Sequence, residues 1–378
     1  MNFCTPTIKK GSRPVSAVFA ALAAKPELER ADLVTLLSAT APDEIEAVRA
    51  EAERVLLVNC GEGVYLRGLV EASNACASDC LYCGIRKSNR DVNRYTLSLE
   101  DILSCAQQCA DMGYGSMVLQ SGERADKKFL GLIEEAVRRI RTETRSEKQP
   151  DGLGITLCIG QQSYETYSRL YEAGAHRYLL RIESTNPKLF AQMHPTDQTF
   201  QSRVDCLKML RDIGYQVGTG VMIGLPGQTL EDLADDILFF DTLDIDMIGM
   251  GPFIPHPGTP MGDLPCPDVA ERVRLALLMI AVTRLKLKDV NIAATTALQA
   301  LDPIGREKGL RAGANVIMPQ MSPTDVRADY QLYPGKPCID ENATDCQSCL
   351  NMRIEFAGRK IGLYAWGDSA HARKRQDG

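Results

Sequence analysis

Short β-like runs, each followed by a helical pattern, constrain this chain of 378 residues more than any other feature. Eight of them can be read, at 64–72, 116–120, 155–159, 178–182, 217–223, 247–253, 290–294 and 316–318. The segments between are amphipathic. Phe129, Leu132, Ile133, Ala136, Val137 and Ile140 share one stripe, with Glu134, Glu135, Arg138 and Arg139 on the other face. Two helix starts, Ser98-Leu99-Glu100-Asp101 and Thr229-Leu230-Glu231-Asp232, have capping-box spacing, with Asp where Glu is commoner. Strands that alternate with helices run parallel, and eight such units close naturally into a barrel. The expected fold is therefore α/β, a (β/α)8 TIM barrel over 61–320, with an open doubly wound sheet as the alternative. Ahead of it, 1–60 reads as a helical extension of two or three helices, with Leu33, Leu36 and Leu37, then Ile45, Val48, Val55 and Leu56, at helical spacing. From 321 to 378 a C-terminal tail is richer in Tyr, Pro, Cys and charge, and is expected to pack across the barrel.

Several function classes fall away on composition. No apolar run approaches the ~20 residues that cross a bilayer. With 43 Lys+Arg against 49 Asp+Glu, the net charge is −6, and no basic patch is dense enough for nucleic acid. Lys9-Lys10-Gly11-Ser12-Arg13 and the apolar stretch 15–24 imitate a short secretory signal. That stretch runs directly into Pro26-Glu27-Leu28-Glu29-Arg30 and a further helical pattern, so a cytoplasmic protein is expected. Thirteen cysteines are too sparse here for a disulfide-stapled fold, which makes metal or redox chemistry the first question.

Three of them form Cys76-x3-Cys80-x2-Cys83, directly after the first strand. Soft thiolates this close can hold three irons of a 4Fe–4S cube and leave the fourth open to a small chelating molecule. Structural zinc is the competing reading, but it wants four ligands, and no further Cys or His lies nearby. His176, His194, His256 and His371 are scattered without metal-ligand spacing. No nucleophile elbow, Walker loop or dinucleotide fingerprint is present.

The triplet, with Tyr82 before its third Cys, resembles the radical S-adenosylmethionine (SAM) superfamily. The resemblance narrows to the HydE family, radical-SAM maturases of FeFe-hydrogenase in the biotin synthase-like group. It rests on Arg67 with Glu71, on Cys80-Leu81-Tyr82-Cys83-Gly84-Ile85-Arg86, and on Val118-Leu119-Gln120-Ser121-Gly122-Glu123. Arg177-Tyr178-Leu179-Leu180-Arg181-Ile182-Glu183, Met222-Ile223-Gly224-Leu225-Pro226-Gly227-Gln228-Thr229 and Gly251-Pro252-Phe253-Ile254-Pro255-His256-Pro257 continue it. Ala294-Thr295-Thr296-Ala297, Gly313-Ala314-Asn315-Val316-Ile317-Met318-Pro319 and Gln331-Leu332-Tyr333-Pro334-Gly335-Lys336 complete it, so that it spans about residues 60 to 365.

The resemblance implies a 4Fe–4S cluster on Cys76, Cys80 and Cys83, with SAM on the open iron. Tyr82 and the Gln120-Ser121-Gly122-Glu123 segment would face SAM, Glu183 would accept from its amino or ribose donors, and Arg203 would bind its carboxylate. Gly224 and Pro226 would add a contact to the adenosine. Arg67, Thr156, Arg181, Thr295, Thr296 and Tyr333 would line the substrate cavity, and of these Arg181, Thr295, Thr296 and Tyr333 are expected to act in catalysis. A cation among hydroxyls in an apolar barrel suits a substrate bearing carboxylate or cyanide; a buried ion pair of Arg181 with Glu183 or Glu123 is the plainer reading. Cys158 marks a departure from a family member that has Ser there. It is either a small buried residue or a contact to sulfur or iron at the cofactor site. Cys105, Cys109 and Cys206 read as core. In the tail, Cys338-x7-Cys346-x2-Cys349 resembles the site of a second iron–sulfur cluster, 2Fe–2S or 4Fe–4S, found in some members.

The function these features imply is an enzyme that cleaves SAM reductively and turns the 5′-deoxyadenosyl radical on an iron–cysteine complex carrying CO and cyanide. A small organometallic substrate, an electron-donor protein and transient docking with sister maturases follow, for a monomer without nucleic-acid or membrane partners. A methylornithine synthase-like or biotin synthase-like enzyme acting on a small amino acid or thiol is one alternative. A non-catalytic iron–sulfur carrier is the other.

Overall fold

The computed structural model describes residues 15–340 and 343–377, with side chains for 17–340 and 347–376. The signal-like Lys9–Arg13 stretch and the side chain of Cys346 lie outside them. Eleven strands occur among the described residues: β1 (Gly63–Ser73), β2 (Ser116–Ser121), β3 (Gly154–Cys158), β4 (Arg177–Leu179), β5 (Gln216–Thr219), β6 (Met222–Ile223), β7 (Met247–Ile248), β8 (Gly251–Pro252), β9 (Asn291–Ile292), β10 (Val316–Ile317) and β11 (Lys360–Gly362).

The main sheet runs β10-β1-β2-β3-β4-β5-β7-β9, every pair parallel. Its two ends then meet. Asn315 N–H donates to Ile292 O (2.9 Å) and Ala294 N–H to Val316 O (2.9 Å), around a parallel bridge between Ala293 and Val316. The sheet is a closed eight-stranded barrel, not an open doubly wound sheet. All eight expected strands are present, but the fifth and sixth runs each divide in two, and β6 pairs with β8 as a short ribbon above the ring. At the break the two chains press together: a Cβ on Gly220 would stand 2.0 Å from Gly249 O. β4 is short because the chain turns after it to set Glu183 in the left-handed region (φ 64).

Helices wrap the barrel with the apolar stripes read from sequence. Ile102, Ile133, Val137, Leu170, Leu210, Ile237 and Ile280 are fully buried, each contributing about 1.5–3 kcal/mol on transfer from water. Both capping boxes form. Ser98 Oγ accepts from Asp101 N–H (3.1 Å) while Asp101 accepts from Ser98 N–H (3.1 Å), and Thr229 with Asp232 repeats the exchange. Arg30–Leu37 packs on Leu230–Thr242 and Val269–Leu287, Pro42–Cys60 packs on Val269–Leu287, and Val15–Ala23 packs on Pro42–Cys60, so Phe19, Leu33 and Val48 join the barrel's own core. Among the described residues no helix is long and apolar enough to cross a membrane.

The tail crosses both ends of the barrel. β11 pairs with β1, and residues 366–368 close the end where the strands begin. Arg177 Nη1 donates there to Trp366 O (2.8 Å) and Asp368 Oδ1 (2.7 Å), while Asn291 and Arg67 both donate to Gly367 O. The helix Ala370–Asp377 is then pinned by His371, which sits between Asp244 (2.5 Å) and Asp289 (3.1 Å). Hydrogen bonds to Asp289 and Asp244 raise its pKa to about 9 against partial burial.

Because the folded value exceeds the unfolded one, this stabilisation is complete below about pH 6.5 and is lost as pH rises through 9. We expect wild type to lose about 1–2 kcal/mol more than His371→Gln between pH 6.5 and 9.5, after discounting for solvent screening. Parallel denaturation curves for the two proteins over that range would reveal an absent anchor.

Candidate active site

The chain leaves β1 at the mouth of the barrel and enters a loop that carries the cysteine triplet. Cys76, Cys80 and Cys83 line one cleft of about 150 Å³, together with Gln120, Ser121, Gly122, Glu123, Cys158, Arg181, Glu183 and Arg203. The loop is fixed by main-chain bonds: Ala77 N–H to Glu123 O (2.8 Å), Leu81 N–H to Met193 O (2.8 Å) and Gly84 N–H to Leu332 O (3.0 Å). Arg94 gathers four of its carbonyls, those of Asn74 (2.7 Å), Ile85 (2.8 Å), Arg86 (2.6 Å) and Asn89 (3.0 Å). Arg86 and Asp79 add a bidentate pair at 2.8 Å. Gly122 is required where it stands, since a Cβ there would meet Ala75 O at 2.4 Å.

The thiols themselves accept little. Glu123 N–H donates to Cys76 Sγ (3.3 Å), and Ser78 Oγ lies 3.1 Å from Cys80 Sγ. Burial raises the pKa of all three, Cys80 to about 11, and each of Cys80 and Cys83 also feels its neighbours' charge. The amides of Gly122 and Glu123 are taken up inside the loop by Ser73 O and Cys76 Sγ, and their carbonyls accept from Ser121 Oγ and Ala77 N–H.

Glu183 and Arg203 face the same cleft. Burial raises the Glu183 pKa, opposed by Arg181 and Arg203, and Tyr82 Oη donates to its Oε1 (3.4 Å). Behind Tyr82, His194 packs edge-on at 5.7 Å and stacks on Phe190 at 3.9 Å. Burial and Arg203 lower its pKa to about 4, so the imidazole is neutral. Arg203 donates to Arg181 O (3.1 Å) and Gln198 Oε1 (3.2 Å). The Glu123 carboxylate is occupied by Gln161 N–H and Gln198 Nε2, which makes it a brace within the wall.

A second compartment of about 130 Å³ opens from this cleft across a shared wall of Tyr82, Gln120, Arg181, Glu183, Tyr330 and Leu332. Thr295, Thr296, Met318, Tyr333 and Lys336 line its far side. Arg181 makes no ion pair within 4 Å among the described residues, and its Nε has no partner. Burial works against its charge, but Glu183 and Cys158 outweigh it and raise its pKa. Thr295 Oγ1 is likewise buried without a partner. Burial pushes the Tyr333 phenol up to about 12, against Arg181 and Arg306, so it stands protonated at neutral pH. The carboxylate of Glu71 is answered by Lys336 (2.5 Å) from the tail and Gln320 (2.6 Å).

Four expected positions fall elsewhere. Arg67 and Thr156 line a small void lower in the barrel, with Met247, Asn291 and Val316, which adjoins the compartment at Gly249 and Met318. There Thr156 accepts from Arg177 Nε (3.0 Å), and burial beside Arg177 pulls the Arg67 pKa well down. Gly224 and Pro226 line neither compartment; their turn is held by Gln228 Oε1 accepting from Gly224 N–H (2.7 Å) and Leu225 N–H (3.2 Å). In the tail, Cys338 adopts φ 61 and Cys349 is exposed on the helix Ala343–Phe356. Arg94, Tyr330, Gln320 and Arg306 were not read from sequence.

A parallel barrel whose mouth carries a three-cysteine loop defines a radical SAM enzyme. Residues 70–240 match the Radical SAM superfamily, which implies a 4Fe–4S cluster and SAM as cofactors. The chain is 43% identical over 323 residues to the [FeFe] hydrogenase maturase subunit HydE of Thermotoga maritima, covering 85% of this chain and 88% of that one. It belongs to the HydE family. Among solved structures, methylornithine synthase (PylB) superposes with a TM-score of 0.76 at 25% identity, over 92% of this chain and 98% of that one. The maturase HydG from Carboxydothermus hydrogenoformans shares the fold, with a TM-score of 0.76 at 20% identity over 92% and 79%.

Arg94→Ala removes the donor to four carbonyls and is expected to lower stability by about 2 kcal/mol and to cut the iron retained after anaerobic reconstitution. Iron and sulfide analysis beside Arg94→Lys checks this; full retention in the alanine variant would count against the role of Arg94.

Proposed function

We propose that this chain is a radical SAM enzyme acting in assembly of the active-site cluster of [FeFe]-hydrogenase, a reading supported by its 43% identity to an [FeFe] hydrogenase maturase subunit. The observation that carries the reading is the wall held in common by the thiol cleft and the donor-rich compartment. The three thiols fit a cubane cluster. They share one cleft and lie in one another's field, while among the described residues no group of three His, Cys, Asp or Glu closes on a single metal ion.

When bound, the cluster and SAM supply one-electron cleavage of the sulfonium and a 5′-deoxyadenosyl radical. Cys76, Cys80 and Cys83 hold three irons, releasing their protons as they do so. Glu183 accepts from the amino or ribose donors of SAM, and Arg203 binds its carboxylate. Cys158 borders the same ligand. Tyr330, Leu332 and Tyr333 cover the compartment and exclude water and stray hydrogen donors.

Arg181, Thr295, Thr296 and Tyr333 present donors, and the carboxylate of Glu71 is already answered, so the compartment suits a ligand rich in acceptors. An iron–cysteine complex bearing CO and cyanide, whose cysteine C–S bond is broken, meets that demand. Around this core we place a second iron–sulfur cluster on Cys338, Cys346 and Cys349, an electron-donor protein, and docking of the monomer with sister maturases in the cytoplasm.

Cys80→Ala is expected to abolish 5′-deoxyadenosine formation under dithionite, and undiminished formation would overturn the mechanism. The substrate class is tested separately, by incubating the reconstituted enzyme with the iron–cysteine complex, lysine or dethiobiotin. Consumption of lysine or dethiobiotin in place of the complex would replace the maturase reading.

A further inference from the structure

We infer that Arg306, which is not part of the compartment wall, is a positioning residue that fixes Thr296 as a hydrogen-bond donor to the substrate. This rests on the maturase reading above. A threonine hydroxyl has one proton to give and two lone pairs to accept with, and its rotor settles according to its neighbours. A guanidinium only donates. Arg306 is 7% exposed, on the helix Gly305–Arg311, and its Nη2 donates to Thr296 Oγ1 at 3.0 Å. One lone pair of Thr296 is thereby occupied, and its proton points along another direction. Thr296 lines the compartment.

The neighbouring threonine shows what this pairing adds. Thr295 caps the helix Thr296–Leu301, yet its side chain makes no capping bond. Its hydroxyl is buried without a partner in the compartment wall. Gly251 leaves it room, since a Cβ there would stand 2.6 Å from Thr295 Oγ1. Thr295 therefore keeps its proton and both lone pairs for a ligand, whereas Thr296 has its proton and only one lone pair left, which biases it toward donation. With Arg181 Nε also unpartnered, the wall offers a fixed donor pattern to one acceptor group, such as a cyanide nitrogen or a carboxylate oxygen. The Arg306 charge also lies near Tyr333, the lid residue of the same compartment.

The test uses unreduced holoenzyme and a synthetic iron–cysteinate complex bearing CO and cyanide. It reads affinity and the infrared cyanide stretch of the bound complex. Arg306→Met and Thr296→Val are each expected to weaken binding about tenfold, the worth of one well-placed donor, and to move the cyanide band in the same direction. Arg306→Lys and Thr296→Ser should restore most of both. In a Thr296→Val background, Arg306→Met should add less than about a twofold loss, because the two act as one unit. A full additional loss there, or an unmoved cyanide band in Arg306→Met, overturns the inference while leaving the maturase reading intact. If wild type fails to bind the complex, the reading falls and the inference falls with it.

Discussion

The terminal nitrogens of Arg94 hold four main-chain carbonyls at once, and the reactive end of the barrel depends on that convergence. Between β1 and the helix Leu99–Asp111 the chain runs through some 25 residues with no regular ladder to satisfy its polar backbone. A guanidinium carries five donors in a rigid fork, so one side chain does there what a strand would do elsewhere. The bonds from Ala77, Leu81 and Gly84 to three other segments fix where the loop sits. Three half-buried thiols can then face one cleft.

Charge is graded along the barrel axis. At the closed end, Arg177 pairs with Asp368, whose charge also acts on Arg67, and Gly367 O accepts from Arg67. At the mouth, Glu183 sits among Arg181, Arg203 and Tyr82, and Glu71 is matched by Lys336. A buried carboxylate with its own cation contributes little net field, so Arg181 and the hydroxyls set the character of the space between. The left-handed backbone at Glu183 is a strained conformation for a residue of this type, and it lies where the two compartments join.

Much of this was legible in the sequence, for a physical reason. Strand alternation tells which side chains face inward: Arg67, Leu69 and Glu71 on β1, and Thr156 and Cys158 on β3, all line interior space. Alternation says nothing of height. Arg67 and Glu71 share a face but differ by four residues, roughly 13 Å along the strand, which separates the floor from the mouth. Arg67 and Thr156 therefore share the walls of Glu71 and Cys158 but stand at a lower level. Arg94, Tyr330 and Arg306 come from loops and short helices, where no period marks a side chain as inward. Their roles arise from contacts with partners far along the chain or across a turn. Lys336 was visible in the tail, but its match to Glu71, 265 residues away, was not.

The tail also orders events in time. A ribosome that has made residues up to 320 has supplied all eight barrel strands, yet the interior still lies open at both ends. Tyr330, Tyr333 and Lys336 arrive next, and the stopper of Trp366, Gly367 and Asp368 only after them. At translation speeds of about 5–20 residues per second, the nascent barrel spends a few seconds as an unroofed tube. Until Leu332 has been added, the cysteine loop lacks the main-chain bond from Gly84 N–H to Leu332 O.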